Sequence, residues 1–86
     1  MGASVESEVM AEIERIAATD LELSRAIRPT DQLIADLELD SLGLTILAVG
    51  LEDRFQVKLT QEDSVQVTTV QDLALLVARR TTERNP

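Results

Sequence analysis

Side chains able to do chemistry are few in this chain. Among its 86 residues there is no histidine and no cysteine. The commonest general base, a thiolate nucleophile, a disulfide framework and a cysteine or histidine metal site are therefore all missing. What remains is a serine in an acidic setting, Asp36-Leu37-Glu38-Leu39-Asp40-Ser41-Leu42. A hydrolytic Ser41 would need a neighbouring base to take its proton. No lysine lies closer in sequence than Lys58, so hydrolysis by the chain alone is argued against and the protein is read as not an enzyme. The alternation of Asp36, Glu38 and Asp40 is that of an opening calcium loop. The sixth position is Ser41 rather than Gly, however, and the twelfth is Leu47 rather than Glu, so no metal site is expected and the stretch reads as solvated acid. Ser41 admits two readings. It can be no more than a first-turn serine beside a helix-capping Asp40. It is also well placed to carry a phosphodiester, because unpaired amides and the positive dipole end of the helix lie beside it. On either reading, chemistry at this chain needs an imported group.

The elements that would position Ser41 follow from periodicity and caps. Val5, Val9, Ile13 and Ile16 recur at steps of three and four between Glu6, Glu8, Glu12 and Glu14, which predicts a first helix over 4–18. From Thr19 to Leu39 the period weakens, and Pro29 pushes Arg28 out of helical geometry. A long loop is expected there, with one short turn near 31–35. A second helix is expected from Asp40 to Phe55, with Asp40 as its cap and Gly50 an internal cost of about 1 kcal/mol. Thr60 with Asp63, and Thr69 with Asp72, each predict a capped start. The first opens a short helix and the second a long one that ends near Arg79 and Arg80, two cations suited to its C-terminal dipole. The expected architecture is all-α: a small four-helix bundle of three long helices and one short, with the long loop between the first and second. One domain is expected over 1–86, ordered over about 5–79, with 81–86 a frayed tail.

The second helix carries two apolar stripes. Leu44, Leu47, Leu51 and Phe55 gather on one side, as a core stripe does. Leu42, Ile46 and Val49 gather roughly opposite, with Asp53 continuing that face and Thr45 and Glu52 on a flank. Either the loop covers this second stripe or it stands open for a partner.

Composition narrows the partners. Sixteen acidic residues against eight basic give a net charge of -8, which repels nucleic acid and anionic membranes alike. Between Asp31 and Asp63 eight acids stand against only Arg54 and Lys58, a field that would steer in a partner with a basic patch. Phe55 is the sole aromatic, so the core must be aliphatic. No apolar run reaches membrane-spanning length and no leader pattern opens the chain. A cytoplasmic monomer is the expectation.

The pieces Asp36-Leu37, Asp40-Ser41-Leu42, Leu51-Glu52-Asp53-Arg54-Phe55 and Thr69-Val70-Gln71-Asp72-Leu73 occur in this order in an acidic chain of this size. In this the sequence resembles the acyl carrier protein family, from about Val5 to Val77. The resemblance implies that Ser41 receives 4'-phosphopantetheine from coenzyme A through a separate phosphopantetheinyl transferase, and that acyl groups ride on the arm's thiol as thioesters. Asp40 and Leu42 would help the transferase recognise the site. Leu42, Ile46, Val49, Glu52 and Asp53 would form the face that meets acyl-loading and acyl-processing enzymes, its acids pairing with basic docking patches. The inward stripe could line a pocket for an acyl chain, although core packing accounts for it as well. The chain departs from the bacterial fatty acid carriers at Glu38, where they usually have Gly, and at Gly43 and Ile46, where they commonly have acids. Polyketide and other specialised acyl pathways are therefore implied at least as strongly as fatty acid synthesis. The two glycines usual before the serine of peptidyl carriers are absent, which disfavours aminoacyl cargo. The alternative is a helical interaction module that keeps the fold and leaves Ser41 unmodified.

Overall fold

The computed structural model describes residues 5–23 and 26–84. Four helices follow in order: α1 (Val5–Thr19), α2 (Ser41–Phe55), α3 (Gln61–Gln66) and α4 (Val70–Arg84). Among the described residues there is no strand, only an isolated antiparallel bridge between Gln32 and Thr69.

α1 forms on the predicted period and turns Val9, Ile13 and Ile16 fully inward. Burying each is worth about 1.5–3 kcal/mol. It packs chiefly on α4, through Val70, Ala74 and Val77, and then on α2, through Leu47 and Leu51. The three long helices thus pack on one another. α3, of six residues, is a short capped turn on this trio rather than a fourth full member, because one and a half turns cannot present a core stripe. The expected all-α fold is borne out, with the three long helices forming the packed unit and α3 a short helix beside them.

Gly50 has a packing reason. A Cβ at that position would stand 2.6 Å from Ile16 Cδ1, so the missing side chain lets α1 and α2 approach. Nearby, Glu12 is buried on α1 and its carboxylate accepts from Arg15, while Arg54 reaches within 4.0 Å of it from α2. The Arg15 hydrogen bond, aided by both positive charges, holds Glu12 below the usual carboxylate range. Arg54 also lies over the Phe55 ring, 5.0 Å from its centroid.

The long connection between α1 and α2 is structured. Asp36 and Leu37 N–H donate to Gln32 O, closing a turn at 33–37, slightly later than the 31–35 expected. Leu33 N–H donates to Thr68 O, Val70 N–H to Asp31 O and Gln71 N–H to Pro29 O, which staples the loop to the start of α4. Ile27, Leu33, Leu37 and Leu39 are buried in the core.

α4 corrects the expected C-terminus. The helix runs to Arg84 instead of ending near Arg79, with Thr81 and Thr82 hydroxyls donating to Val77 and Ala78 carbonyls. No glycine or proline lies within it. Residues 85 and 86 of the expected tail lie outside the described residues. Arg80 is consequently a mid-helix residue whose guanidinium reaches α3 rather than serving the helix dipole.

Glu38 adopts a left-handed backbone, φ 57°. A residue with a Cβ pays about 1–2 kcal/mol there, where glycine pays little. Glu38→Gly is expected to raise stability by about 0.5 kcal/mol, relieved strain exceeding glycine's added chain entropy. Urea unfolding measures it, and a lower midpoint would contradict the strain argument.

Candidate functional site

α2 begins where Asp40 ends the loop in extended geometry. Asp40 Oδ1 accepts from Gly43 N–H at 2.8 Å, and Leu44 N–H donates to Asp40 O at 2.9 Å. These bonds serve two of the four first-turn amides. Those of Ser41 and Leu42 have no intrahelical acceptor by position. Ser41 is thus the first residue of α2, exposed, beside two outward amides at the positive end of the helix. Its hydroxyl takes no hydrogen bond among the described residues.

Ser41 also stands on the rim of a groove of about 820 Å³ between α2, α3 and the preceding loop. Leu44, Leu47, Leu73 and Leu76 line its floor, and Ile34, Val49 and Val65 its mouth. Its α3 wall is fixed by polar contacts. Thr60 N–H donates to Asp63 Oδ2 at 2.8 Å and Asp63 N–H to Thr60 Oγ1 at 3.2 Å, the predicted capping arrangement. Arg80 grips Asp63 with both terminal nitrogens, at 3.0 and 2.8 Å, and donates to Lys58 O at 2.8 Å. The Arg80 hydrogen bonds, followed by the Thr60 amide, hold the Asp63 carboxyl down at about 2. The matching cap at α4 joins Thr69 and Asp72, whose carboxyl is likewise lowered by the Thr69 amide and then the Thr68 amide.

The residues singled out on α2 are placed as follows. Leu42 and Val49 are exposed, Ile46 is half-buried against the core, and Asp53 is exposed. Glu52 is half-buried, and its Oε2 accepts from Leu59 N–H at 2.7 Å, tying α2 to the strand of chain before α3. Leu47 and Leu51 are buried as a core stripe requires, whereas Leu44 and Phe55 are only partly so. The loop fills the core instead of covering the second stripe, which therefore stays open at Leu42 and Val49. The acidic stretch has local duties: Asp36 Oδ2 accepts from Gln32 N–H and Asp40 caps α2. Among the described residues no cluster of three or more ligating side chains is arranged to hold a metal ion, and no helix is long and apolar enough to cross a membrane.

Sequence reasoning missed Ile34 and Val65 at the groove mouth. A lone apolar residue in a loop and another in a six-residue helix carry no period. It also missed the Arg80–Asp63 grip, which spans 17 positions.

An exposed serine at a helix start, beside free amides and an apolar groove, suits attachment of a phosphate-linked arm. The family model for the phosphopantetheine attachment site matches residues 8–77. The chain belongs to the acyl carrier protein family. Within that family it is 31% identical over 86 residues to the meromycolate extension acyl carrier protein of Mycolicibacterium smegmatis, covering 98% of this chain and 85% of that one. It is 37% identical over 65 residues to an acyl carrier protein of Brachyspira hyodysenteriae, covering 73% and 83%. A crystal structure of an acyl carrier protein from Thermotoga maritima superposes with a TM-score of 0.84 over 99% of this chain and all of that one, at 19% identity, which shows a shared fold. The family carries 4'-phosphopantetheine covalently, and its members are carriers of acyl groups rather than enzymes. Its general partners are the transferase that installs the arm and the enzymes that process the cargo.

Proposed function

We propose that Ser41 is the attachment point and that this carrier presents acyl thioesters on its arm to the enzymes of a fatty acid, polyketide or other specialised acyl pathway. The carrying observation is the placement of Ser41: exposed, first in α2, and on the rim of the apolar groove. When bound, the arm supplies the thiol that this cysteine-free chain lacks. Ser41 Oγ forms the phosphodiester by displacing adenosine 3',5'-bisphosphate from coenzyme A. The hydroxyl proton goes to a base of the transferase, since this chain has no histidine or cysteine to take it. The Ser41 and Leu42 amides, which have no intrahelical acceptor by position, would offset the charge of the phosphate. Asp40 and Leu42 flank the serine as recognition residues. Leu42, Ile46, Val49, Glu52 and Asp53 form the partner face, and α3 acts as the fourth element of the fold by walling the groove, which would shelter an acyl chain. The absence of acids at Gly43 and Ile46, together with relatives named for meromycolate extension, supports a specialised pathway over general fatty acid synthesis.

The test is intact mass after incubation with coenzyme A and a broad-specificity phosphopantetheinyl transferase. One phosphopantetheine is expected, mapped to Ser41 by fragmentation. No gain, or an arm on another residue, would refute the assignment.

A further inference from the structure

The first turn of α2 holds a residue that local physics does not favour. At the third position of a helix an acid does most, reaching back to the cap amide and offsetting the dipole. Glycine inside a helix costs up to about 1 kcal/mol against alanine. The chain nevertheless places Gly43 there, two residues past Ser41. Tertiary contact supplies the reason. Gly43 is buried, although Ser41 and Leu42 before it are exposed. A Cβ at that position would stand 3.3 Å from Leu39 Cδ2, 3.4 Å from Asp40 Oδ1 and 3.6 Å from Leu39 Cβ. Carbon atoms pack best at about 3.5–4.0 Å, so Leu39 or the first turn would have to give way.

Leu39 has little room to do so. Its side chain is buried in the core, and its N–H donates to Leu33 O at 3.1 Å. One residue back, Glu38 holds its φ of 57°, a strained backbone that persists only where the surroundings over-determine it. The buried Leu37 and Leu39 on either side are those surroundings. On the far side Asp40 is fixed by the bond from Gly43 N–H. The chain from Leu37 to Gly43 is thus anchored at both ends with Ser41 inside it. Any displacement of Leu39 or Asp40 reaches Ser41 through one or two peptide bonds.

We propose that Gly43 and Leu39 are positioning residues for the transfer to Ser41: the bare backbone of Gly43 seats Leu39, and that seat fixes the direction in which Ser41 Oγ leaves the helix. The inference rests on the attachment reading. Both residues are buried, so they act through Ser41 rather than by meeting an enzyme. A misaimed hydroxyl leaves the binding of the carrier intact and slows the transfer itself.

The phosphopantetheinyl transferase is the probe, with coenzyme A saturating and the carrier varied. Gly43→Ala is expected to lower kcat by about fivefold or more, with the KM for the carrier within about twofold of wild type. In a Leu39→Val background, where Cδ2 is gone, the same substitution is expected to cost less than about twofold, because the two changes meet at one contact and are not additive. Circular dichroism checks that the helices are kept. Independently of the transferase, the amide of residue 43 is expected to exchange about threefold faster or more in Gly43→Ala, after correction for residue type, as its bond to Asp40 loosens. An unchanged kcat, or an equal loss in both backgrounds, would overturn the proposal. So would a loss carried by KM, which would make the surface of the first turn the cause and not its aim. Amide exchange as slow as in wild type removes the seat by itself. Wild type that accepts no arm at all removes the attachment reading, and this proposal with it.

Discussion

Ser41→Ala is expected to take up no phosphopantetheine under conditions that load the wild type to completion, and to unfold within about 0.5 kcal/mol of it. The two halves of this expectation have separate causes. Ser41 is exposed, its hydroxyl takes no hydrogen bond among the described residues, and alanine is a good helix former at that position. Removing the hydroxyl therefore costs the fold almost nothing while removing the only atom placed to form the ester. The next hydroxyl along α2 cannot replace it, because Thr45 Oγ1 lies one turn on and donates to Ser41 O at 2.8 Å. Asp40→Asn divides the neighbouring residue's roles. Asparagine caps a helix as well as aspartate, so stability should hold. Loss of the charge is expected to lower the loading rate by about tenfold or more if the transferase reads it through a charge-assisted bond. Intact mass and urea unfolding on the same samples decide both points. Mass uptake by Ser41→Ala would overturn the assignment, and unchanged loading of Asp40→Asn would confine Asp40 to capping.

Arg80→Met is expected to cost about 2–3 kcal/mol and to reshape the acid limb of stability. The hydrogen bonds from Arg80 to Asp63 and to Lys58 O disappear, and Asp63, buried on α3, keeps its charge with Thr60 left to offset it. α3 depends on this pair because its own Val65 is exposed and adds no buried area. The pH dependence follows from the direction of the shift. Asp63 titrates at about 2 in the folded protein against 3.8 ordinarily. The unfolded chain therefore binds the proton first as pH falls. The stabilisation is complete above about pH 4 and is lost as pH drops towards 2. The shift corresponds to about 2.5 kcal/mol at most, and to less after screening, because the Arg80 side chain is 35% exposed. Urea unfolding from pH 7 to 2 should show the wild type converging on the variant below pH 4. Glu12 and Asp72 are also held below the usual carboxylate range, but alike in both proteins, so the difference between the curves isolates the pair. Parallel curves would show that Arg80 does not act through Asp63.

Much of this was legible in the residues because it is local. Period, capping residues and proline placement are properties of a few neighbouring positions, and they located α1, α2 and both capped starts to within a residue or two. The Asp40-Ser41-Leu42 run marked the candidate site for the same reason: the helix start that could host a phosphodiester is made by adjacent residues. The absence of histidine and cysteine removed whole classes of chemistry without reference to any fold.

What only the tertiary structure decided depends on contacts between distant positions. Whether the loop covered the second stripe of α2 could not be read from α2. The buried placements of Leu33, Leu37 and Leu39 answered it, leaving Leu42 and Val49 open. Arg80 suits a helix C-terminus by composition, and only its approach to Asp63 and Lys58 shows it fastening α3 instead. Glu38 looks like any surface acid until its positive φ is seen. Glu52, one more charge on a helix flank in the sequence, turns out to hold the Leu59 amide. Sequence determined where the helices begin and which serine could bear an arm. Packing decided which apolar side chains remain to meet a partner, because burial is shared among residues far apart in the chain and no single segment records it.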